Sequence, residues 1–426
     1  MLNIIKKLQN NGFEAYLVGG CVRDKLLNKN PKDFDIATSA TPQQVISLFE
    51  RTEPVGVSFG VVLVIENDIP YEVATFRSDG VYSDNRRPDS ILFSTPEEDA
   101  KRRDFTINAL FYDPFKNKII DFVNGQEDLN NKIIKTVGNP IDRFNEDRLR
   151  VLRAIRFNIT LGFEIEQKTK EAMFNVSLDG LAWERIEKEL SRMLMHNALK
   201  TIKVLDEFGI LEKLLPELIK MKGVEQSKNW HPEGDVWNHT LKSISFLNNP
   251  TKELAWATLL HDVGKPNKQI FDGEKIKFKG HELLGADMAE IICDRFKMSV
   301  ESKERIKNLI KSHMKATDSI NFRKSKLIKL LREDFIDELI ELHFCDCMGS
   351  DGNLECYEFL KNKKNELKED IKPKIKLITG KDLIDLGFKP GPIFREILEK
   401  IEDLQLENEI STKEEAMEVV KTYAIH

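Results

Sequence analysis

The segments able to form β-strands, AYLVGG, GVVLVIE and IPYEVATF, all fall before Pro140, whereas from Asp142 onward apolar residues recur at intervals of three and four. A period near two places alternate side chains on the two faces of a sheet, and a period of 3.6 gives helices that bury one stripe. The expected fold is therefore α+β, with a small sheet confined to an N-terminal head and only helices beyond it. At 426 residues and 41% hydrophobic content the chain can bury more than one core, and usual domain sizes suggest about three domains. NEDRLRVLRAIRFN, WERIEKELSRML and IKVLDEFGILEKLLPEL have the spacing of helices packed on one another. A second helical unit begins near Trp230 and ends around Gly349 to Asn353, and a charged helical tail follows, turned once at GFKPGP. The expected boundaries are a head over 1–140, a neck over 141–225, a body over 226–353 and a tail over 354–426.

Charge and cysteine content narrow the function classes. A formal net charge of −6 argues against indiscriminate binding of polyanions, yet 65 Lys and Arg residues suffice for a local basic face along a nucleic-acid backbone. The five cysteines, Cys21, Cys293, Cys345, Cys347 and Cys356, lack paired CxxC spacing, which disfavours a disulfide framework or a cysteine zinc site and fits reduced thiols in a cytoplasm. The opening MLNIIKKLQNNGF has no apolar run long enough for a signal peptide or membrane span, so a cytoplasmic protein with no membrane partner is expected.

The segment YLVGGCVRDKLLNKNPKDFDIAT places a strand, the pair Gly19 and Gly20, a helix carrying Arg23 and Asp24, and then Asp33-x-Asp35 on an extended stretch. Paired glycines let a backbone approach a ligand, and free N–H groups at a helix start favour a phosphate. Arg23 adds a charge-assisted contact to the same anion. In an extended segment residues i and i+2 share a side, so both carboxylates can face one site and hold divalent cations. A strand bearing Glu72, a candidate third carboxylate, and the run Lys101-Arg102-Arg103-Asp104 follow. A DxD pair alone is more often a solvated turn; here the order of the parts carries the reading.

This order resembles the polymerase-beta nucleotidyltransferase superfamily, and RRDFTINAL with EDRLRVLRAIRF is similar to the motifs of bacterial class II tRNA nucleotidyltransferases and their poly(A) polymerase relatives. The resemblance covers about half of the chain and recurs at GKDLIDLGFKPGP. It implies a polymerase-beta-like head and addition of CCA from CTP and ATP to the acceptor arm of tRNA by two-metal transfer with Mg²⁺. By position it implies metal binding by Asp33 and Asp35, and nucleotide contacts from Gly19, Gly20, Arg23, Arg103, Arg153 and Arg156. Base selection falls to Asp147 and Arg150. Asp104 and Glu146 are further candidate site residues in the same two motifs.

Base selection can also be argued from chemistry. Asp147 and Arg150, three apart, are expected on one helix face as an acceptor beside a planar donor fork. Cytosine and adenine each present an amino donor beside a ring-nitrogen acceptor, whereas guanine and uracil would leave buried polar groups unpaired. A surface ion pair is the commoner fate of such spacing. Arg150, Arg153 and Arg156, repeating every third residue, argue instead for a bound anion. The loop from Phe76 to Phe93 carries Asp84, Arg86 and Arg87, and in the resembled family such a loop serves the change from C to A addition.

His239, His261, His281 and His313, with Asp262 in LLHDVGKP and Asp346 in HFCDCMGS, form a second constellation. A lone helical histidine is usually packed or solvated, but this set resembles the HD family of metal-dependent phosphohydrolases. It implies hydrolysis of phosphate esters with Lys265 on the phosphate, and imidazole-carboxylate coordination that accepts Mn, Ni, Co, Fe or Zn. Three readings follow: a CCA-adding enzyme with a phosphohydrolase body; an A-adding specialist or poly(A) polymerase; and a nucleotide phosphohydrolase whose head only binds nucleotides.

Overall fold

In the computed structural model, residues 1–423 are described apart from 32, 56, 81–90, 228–231, 233, 274 and 373–374. The expected Asp84, Arg86 and Arg87 lie outside the described residues. Contacts divide the chain into a unit of Met1–His196 and a unit of Asn197–His426. Helix Trp183–Glu207 carries a non-helical residue, Asn197, at the boundary.

The described residues of the first unit contain eleven strands. Two short ones, Ile133–Ile134 and Glu164–Ile165, pair in parallel apart from the main sheet, the second beyond Asp142 where only helices were expected. The others are β1 (Ala15–Val18), β2 (Asp35–Thr38), β3 (Thr52–Glu53), β4 (Val61–Glu66), β5 (Ile69–Thr75), β6 (Arg77–Asp79), β7 (Ile91–Phe93), β8 (Leu110–Asp113) and β9 (Lys118–Asp121). Seven of them form one sheet in the order β3-β4-β5-β2-β1-β8-β9, and β6 pairs with β7 separately. β1 and β2 are antiparallel with Val18 opposite Asp35, while β2 and β5 are parallel with Asp35 opposite Glu72. The three predicted strand runs thus occupy the middle of the sheet. Val18, Ala37, Phe76, Ala100, Ala109, Phe111 and Val137 form a core against it. Phe76 and Phe111 meet edge to face at 6.1 Å, and Phe111 meets Tyr16 at 6.3 Å, an arrangement that aromatic quadrupoles favour.

The second unit is helical, as expected, except for a hairpin of Ile270–Asp272 and Lys275–Lys277 that sequence reading did not anticipate. Helices Val236–Ser245, Lys252–Leu260, His281–Arg295, Val300–Thr317 and Ile336–Gly349 pack together. Asp235 caps the first by accepting from Asn238 N at 2.8 Å, and Thr251 caps the second by accepting from Leu254 N at 3.1 Å. Such caps satisfy amide groups that a helix start otherwise leaves unpaired. Trp256 is fully buried with Phe296 5.1 Å away. Gly264 lies where a Cβ would come within 2.3 Å of the His281 carbonyl oxygen, so the turn after Asp262 meshes directly with the start of the next helix. The tail has its own cluster, including Leu383, Ile397, Ile401 and Val420.

Truncating a fully buried aromatic removes transfer free energy and leaves a cavity. Phe111→Ala is expected to destabilise the protein by about 3–5 kcal/mol, read as a lower urea midpoint. An unchanged midpoint would show that the sheet does not depend on this aromatic group.

Candidate active and metal sites

The register of β1, β2 and β5 sets Val18, Asp35 and Glu72 at one level across the sheet, with Asp33 just before β2. Dehydration by the surrounding protein raises the Asp35 carboxyl above its ordinary value, Arg103 opposes the rise and Asp33 adds to it. Glu72 is raised by dehydration and then by the charges of Asp35 and Asp33. Two carboxyls raised by dehydration and by the negative charge beside them, with Asp33 adjacent, are a donor set a hard divalent cation would stabilise. Gly19 follows Val18 with φ +78°, and a Cβ there would stand 3.3 Å from Arg103 Nη1 and 3.7 Å from Asp35 Oδ2. Glycine at this turn therefore keeps open the space between a cation and an anion. Arg103 is anchored by the buried Asp99, which accepts from its Nε at 3.2 Å and Nη2 at 3.0 Å.

Three further arginines of the expected site converge on one ring. Arg23, Arg153 and Arg156 lie with their guanidinium carbons 5.1, 5.7 and 4.1 Å from the centroid of the buried Phe157. Arg23 donates to Asp24 Oδ1 at 2.9 and 2.7 Å and to Asn108 Oδ1 at 2.6 Å. Arg153 donates to Asp104 Oδ2 at 2.8 and 2.6 Å, and Arg156 pairs with Glu189. Burial opposes the charge on Asp104, but Arg153 outweighs it and holds the carboxyl down at about 2.

Two expectations need correction. Asp147 and Arg150 do not share a helix: one helix, Pro140–Glu146, ends before Asp147, whose φ −144° is extended, and the next is Leu149–Leu161. The cause is local, because the Asp147 carboxylate accepts from Leu149 N at 3.1 Å and restarts the chain as a helix. Asp147 pairs with Arg185 at 3.1 and 2.7 Å, and Arg150 with Glu146 at 2.6 Å as well as the carbonyls of Arg143 and Arg102 at 2.9 and 3.2 Å. Nor do Arg150, Arg153 and Arg156 require a bound anion for balance, since Glu146, Asp104 and Glu189 supply it. Asn108, Arg185 and Glu189 were missed; only a three-dimensional arrangement brings them to these partners.

The second unit gathers all six predicted ligands. His239, His261 and Asp346 form one group and Asp262, His281 and His313 another, each with ligand atoms within 4.8 Å of one another. Among the described residues no group of head carboxylates is as tight. Asp262 stands between the two, with Oδ2 3.3 Å from His261 Nε2 and 3.5 Å from His239 Nε2, and Oδ1 3.3 Å from His281 Nε2. His281 donates Nδ1–H to Phe278 O at 2.9 Å and His313 donates to Ile310 O at 2.6 Å. In the neutral rings this leaves a lone pair on each Nε2, and the two Nε2 atoms face each other at 3.2 Å. Burial, helped by the charge of His261, pushes His313 down to about 3 and so keeps it neutral. Neither oxygen of buried Asp262 has an aligned hydrogen-bond donor, although Lys265 Nζ is 2.6 Å from Oδ2. Opposed imidazole lone pairs gathered around one buried carboxylate fit a bound cation, with the backbone carbonyls orienting its imidazole ligands. Lys265 also donates to Gln226 Oε1 at 2.7 Å, a partner that sequence reading missed. The cluster opens on a cavity of about 770 Å³ lined by Lys265, Lys277, Phe278, Lys279 and Asp346 among others.

Family models match three stretches: the poly(A) polymerase head domain over residues 15–135, the model named "Probable RNA and SrmB- binding site of polymerase A" over 162–221, and the HD domain over 236–378. Nucleotidyltransferase heads and HD domains generally use divalent metals. A CCA-adding enzyme of Oceanobacillus iheyensis is 47% identical over 215 residues, which span 50% of this chain and 54% of that protein. The crystal structure of the Bacillus stearothermophilus CCA-adding enzyme in complex with CTP superposes with a TM-score of 0.75 at 27% identity, over 99% of this chain and 97% of that one. The CCA-adding enzyme of Ligilactobacillus salivarius is 37% identical over 435 residues, covering 99% of this chain and 95% of that protein. Matched along nearly its whole length in this way, the chain belongs to the family of CCA-adding enzymes, which are nucleotidyltransferases.

Proposed function

We propose that the protein adds C and A nucleotides from CTP and ATP to the 3′ end of tRNA in the cytoplasm, at Asp33, Asp35 and Glu72. The observation that carries this reading is the register setting Asp35 beside Glu72 at the edge where Gly19 and Arg103 meet. The three carboxylates would hold Mg²⁺, which supplies activation of the attacking hydroxyl and charge compensation at the departing pyrophosphate. Gly19 and Gly20 leave room for the triphosphate, and Arg23 and Arg103 offer cations beside it. Arg153 and Arg156 extend that positive edge around Phe157. No helix among the described residues is long and apolar enough to cross a membrane.

Base choice would fall to Asp147 and Arg150 at the break between two helices. Each is already paired within the protein, so a base entering here exchanges the Asp147–Arg185 and Arg150–Glu146 contacts for its own amino and ring-nitrogen groups. Exchange of one satisfied set for another discriminates because the wrong base leaves a buried charge unpaired.

We further propose that the HD cluster hydrolyses phosphate esters, with a transition metal held by His239, His261, Asp262, His281, His313 and Asp346. The opposed Nε2 lone pairs of His281 and His313 favour this reading over a purely structural body. Lys265, at the cavity wall, would neutralise the phosphate.

Three experiments test these readings. Incubation with Mg²⁺, CTP and ATP on tRNAs ending at the discriminator base, after one C and after two should give products that stop at CCA. Growth of long A tails would assign a poly(A) polymerase, and A addition only after two Cs an A-adding specialist. Asp35→Ala should abolish nucleotide addition and spare phosphatase activity, while Asp262→Ala should do the reverse; loss of both activities from either folded variant would break the two-site reading. Asp147→Ala should lower the preference for CTP and ATP over UTP and GTP by about 5–150-fold, the worth of one good base-edge contact, in competition assays, and an unchanged preference would remove Asp147 from base choice.

A further inference from the structure

Two clusters of charge lie around Phe157, and a single neutral side chain joins them. One comprises Arg23 and Asp24 on helix Gly20–Leu26, directly behind the glycine pair. The other comprises Asp104, Arg153, Arg156 and Glu189, which ties the segment after the basic run to helices Leu149–Leu161 and Trp183–Glu207. Asn108 accepts from Arg23 Nη1 through Oδ1 at 2.6 Å and donates through Nδ2 to Asp104 Oδ1 at 3.2 Å. It is 7% exposed and Arg23 9%, so water does not readily replace either bond.

The chemistry of the two partners dictates the residue. A guanidinium only donates and an ionised carboxylate only accepts, so the bridging side chain must offer an acceptor to one and a donor to the other. A primary amide of asparagine length does both. Leucine, close in shape, leaves Arg23 and Asp104 each one partner short. A carboxylate at this position accepts from Arg23 but faces the Asp104 carboxylate, a like-charge contact.

We propose that Asn108 is a positioning residue for nucleotide binding: its amide holds Arg23 against the triphosphate and couples that grip to the Asp104–Arg153 pair of the base-reading helices. Its backbone carbonyl oxygen also lies 3.9 Å from where a Gly19 Cβ would stand, so the same residue borders the turn that receives the phosphates. The inference rests on the reading that Arg23 contacts the triphosphate. Asn108 itself touches no reacting atom, and its effect reaches the nucleotide through Arg23.

The experiment is a double-mutant cycle on the full chain with Arg23→Lys, Asn108→Leu and the pair, reading KM for CTP and for ATP separately from kcat on a tRNA ending at the discriminator base. Asn108→Leu is expected to raise both KM values tenfold or more and to change kcat by less than threefold. Combined with Arg23→Lys, it should add little to the effect of Arg23→Lys alone, because residues acting through one contact are not additive. Asn108→Asp, which keeps the side-chain size and the acceptor for Arg23, supplies a second probe. Its introduced carboxyl faces Arg23 and Asp104, which are themselves paired with Asp24 and Arg153; a proton shared between the carboxyl and Asp104 restores the donor. The KM of that variant, relative to the unaltered protein at each pH, should therefore fall as pH is lowered, while that of Asn108→Leu should not. Additive effects in the cycle, or a KM unchanged in both Asn108 variants while Arg23→Lys raises it, would overturn the role of Asn108. A KM unchanged in Arg23→Lys itself would instead overturn the triphosphate reading on which it rests.

Discussion

The Asp104–Arg153 ion pair is the interaction on which the first unit turns. Asp104 belongs to the segment that leads into β8, and Arg153 to the helix that follows the break at Asp147. Burying two charges is costly unless geometry and further hydrogen bonds compensate. Here both conditions are met: the carboxylate also accepts from Phe105 N at 2.8 Å and from Asn108, and the guanidinium lies over Phe157. The sheet and the helices are thereby held in one relation, and Arg103, anchored on Asp99, stays beside Asp35. These arginines are spent on protein partners, which keeps a concentrated positive edge compatible with folding.

Much of the head was legible because its signals are short-range. The runs AYLVGG, GVVLVIE and IPYEVATF became β1, β4 and β5, since an alternating apolar pattern has few other outcomes beside turn residues. The adjacency of Asp35 and Glu72 was not legible, because it depends on which strands pair and in which register, and nothing local encodes a parallel pairing across more than thirty residues. The break at Asp147 was missed for a subtler reason. Apolar spacing runs unbroken through NEDRLRVLRAIRFN, but the aspartate side chain competes for backbone amides and wins there.

The HD constellation was legible as a list and illegible as an object. Histidines and aspartates spread from His239 to Asp346 signalled coordination chemistry through their type, and the helices then delivered every one of them to a single cluster. What the residue list lacked was the layer behind it. The carbonyls of Thr258, Phe278 and Ile310, which fix the imidazoles of His261, His281 and His313, belong to the backbone and have no sequence signature. Gln226 on Lys265 was equally hidden, because a glutamine outside any motif offers nothing to recognise.

Gly264 has a bearing on how this chain can vary through descent. With the His281 carbonyl oxygen only 2.3 Å from where a side chain would begin, the position has no room for any other amino acid without displacing the backbone that carries a metal ligand. Glycine is encoded by four codons that differ only in their third base. Any single change at the first or second base of that codon therefore strikes the cluster, and the only silent path left to drift at this site is the third.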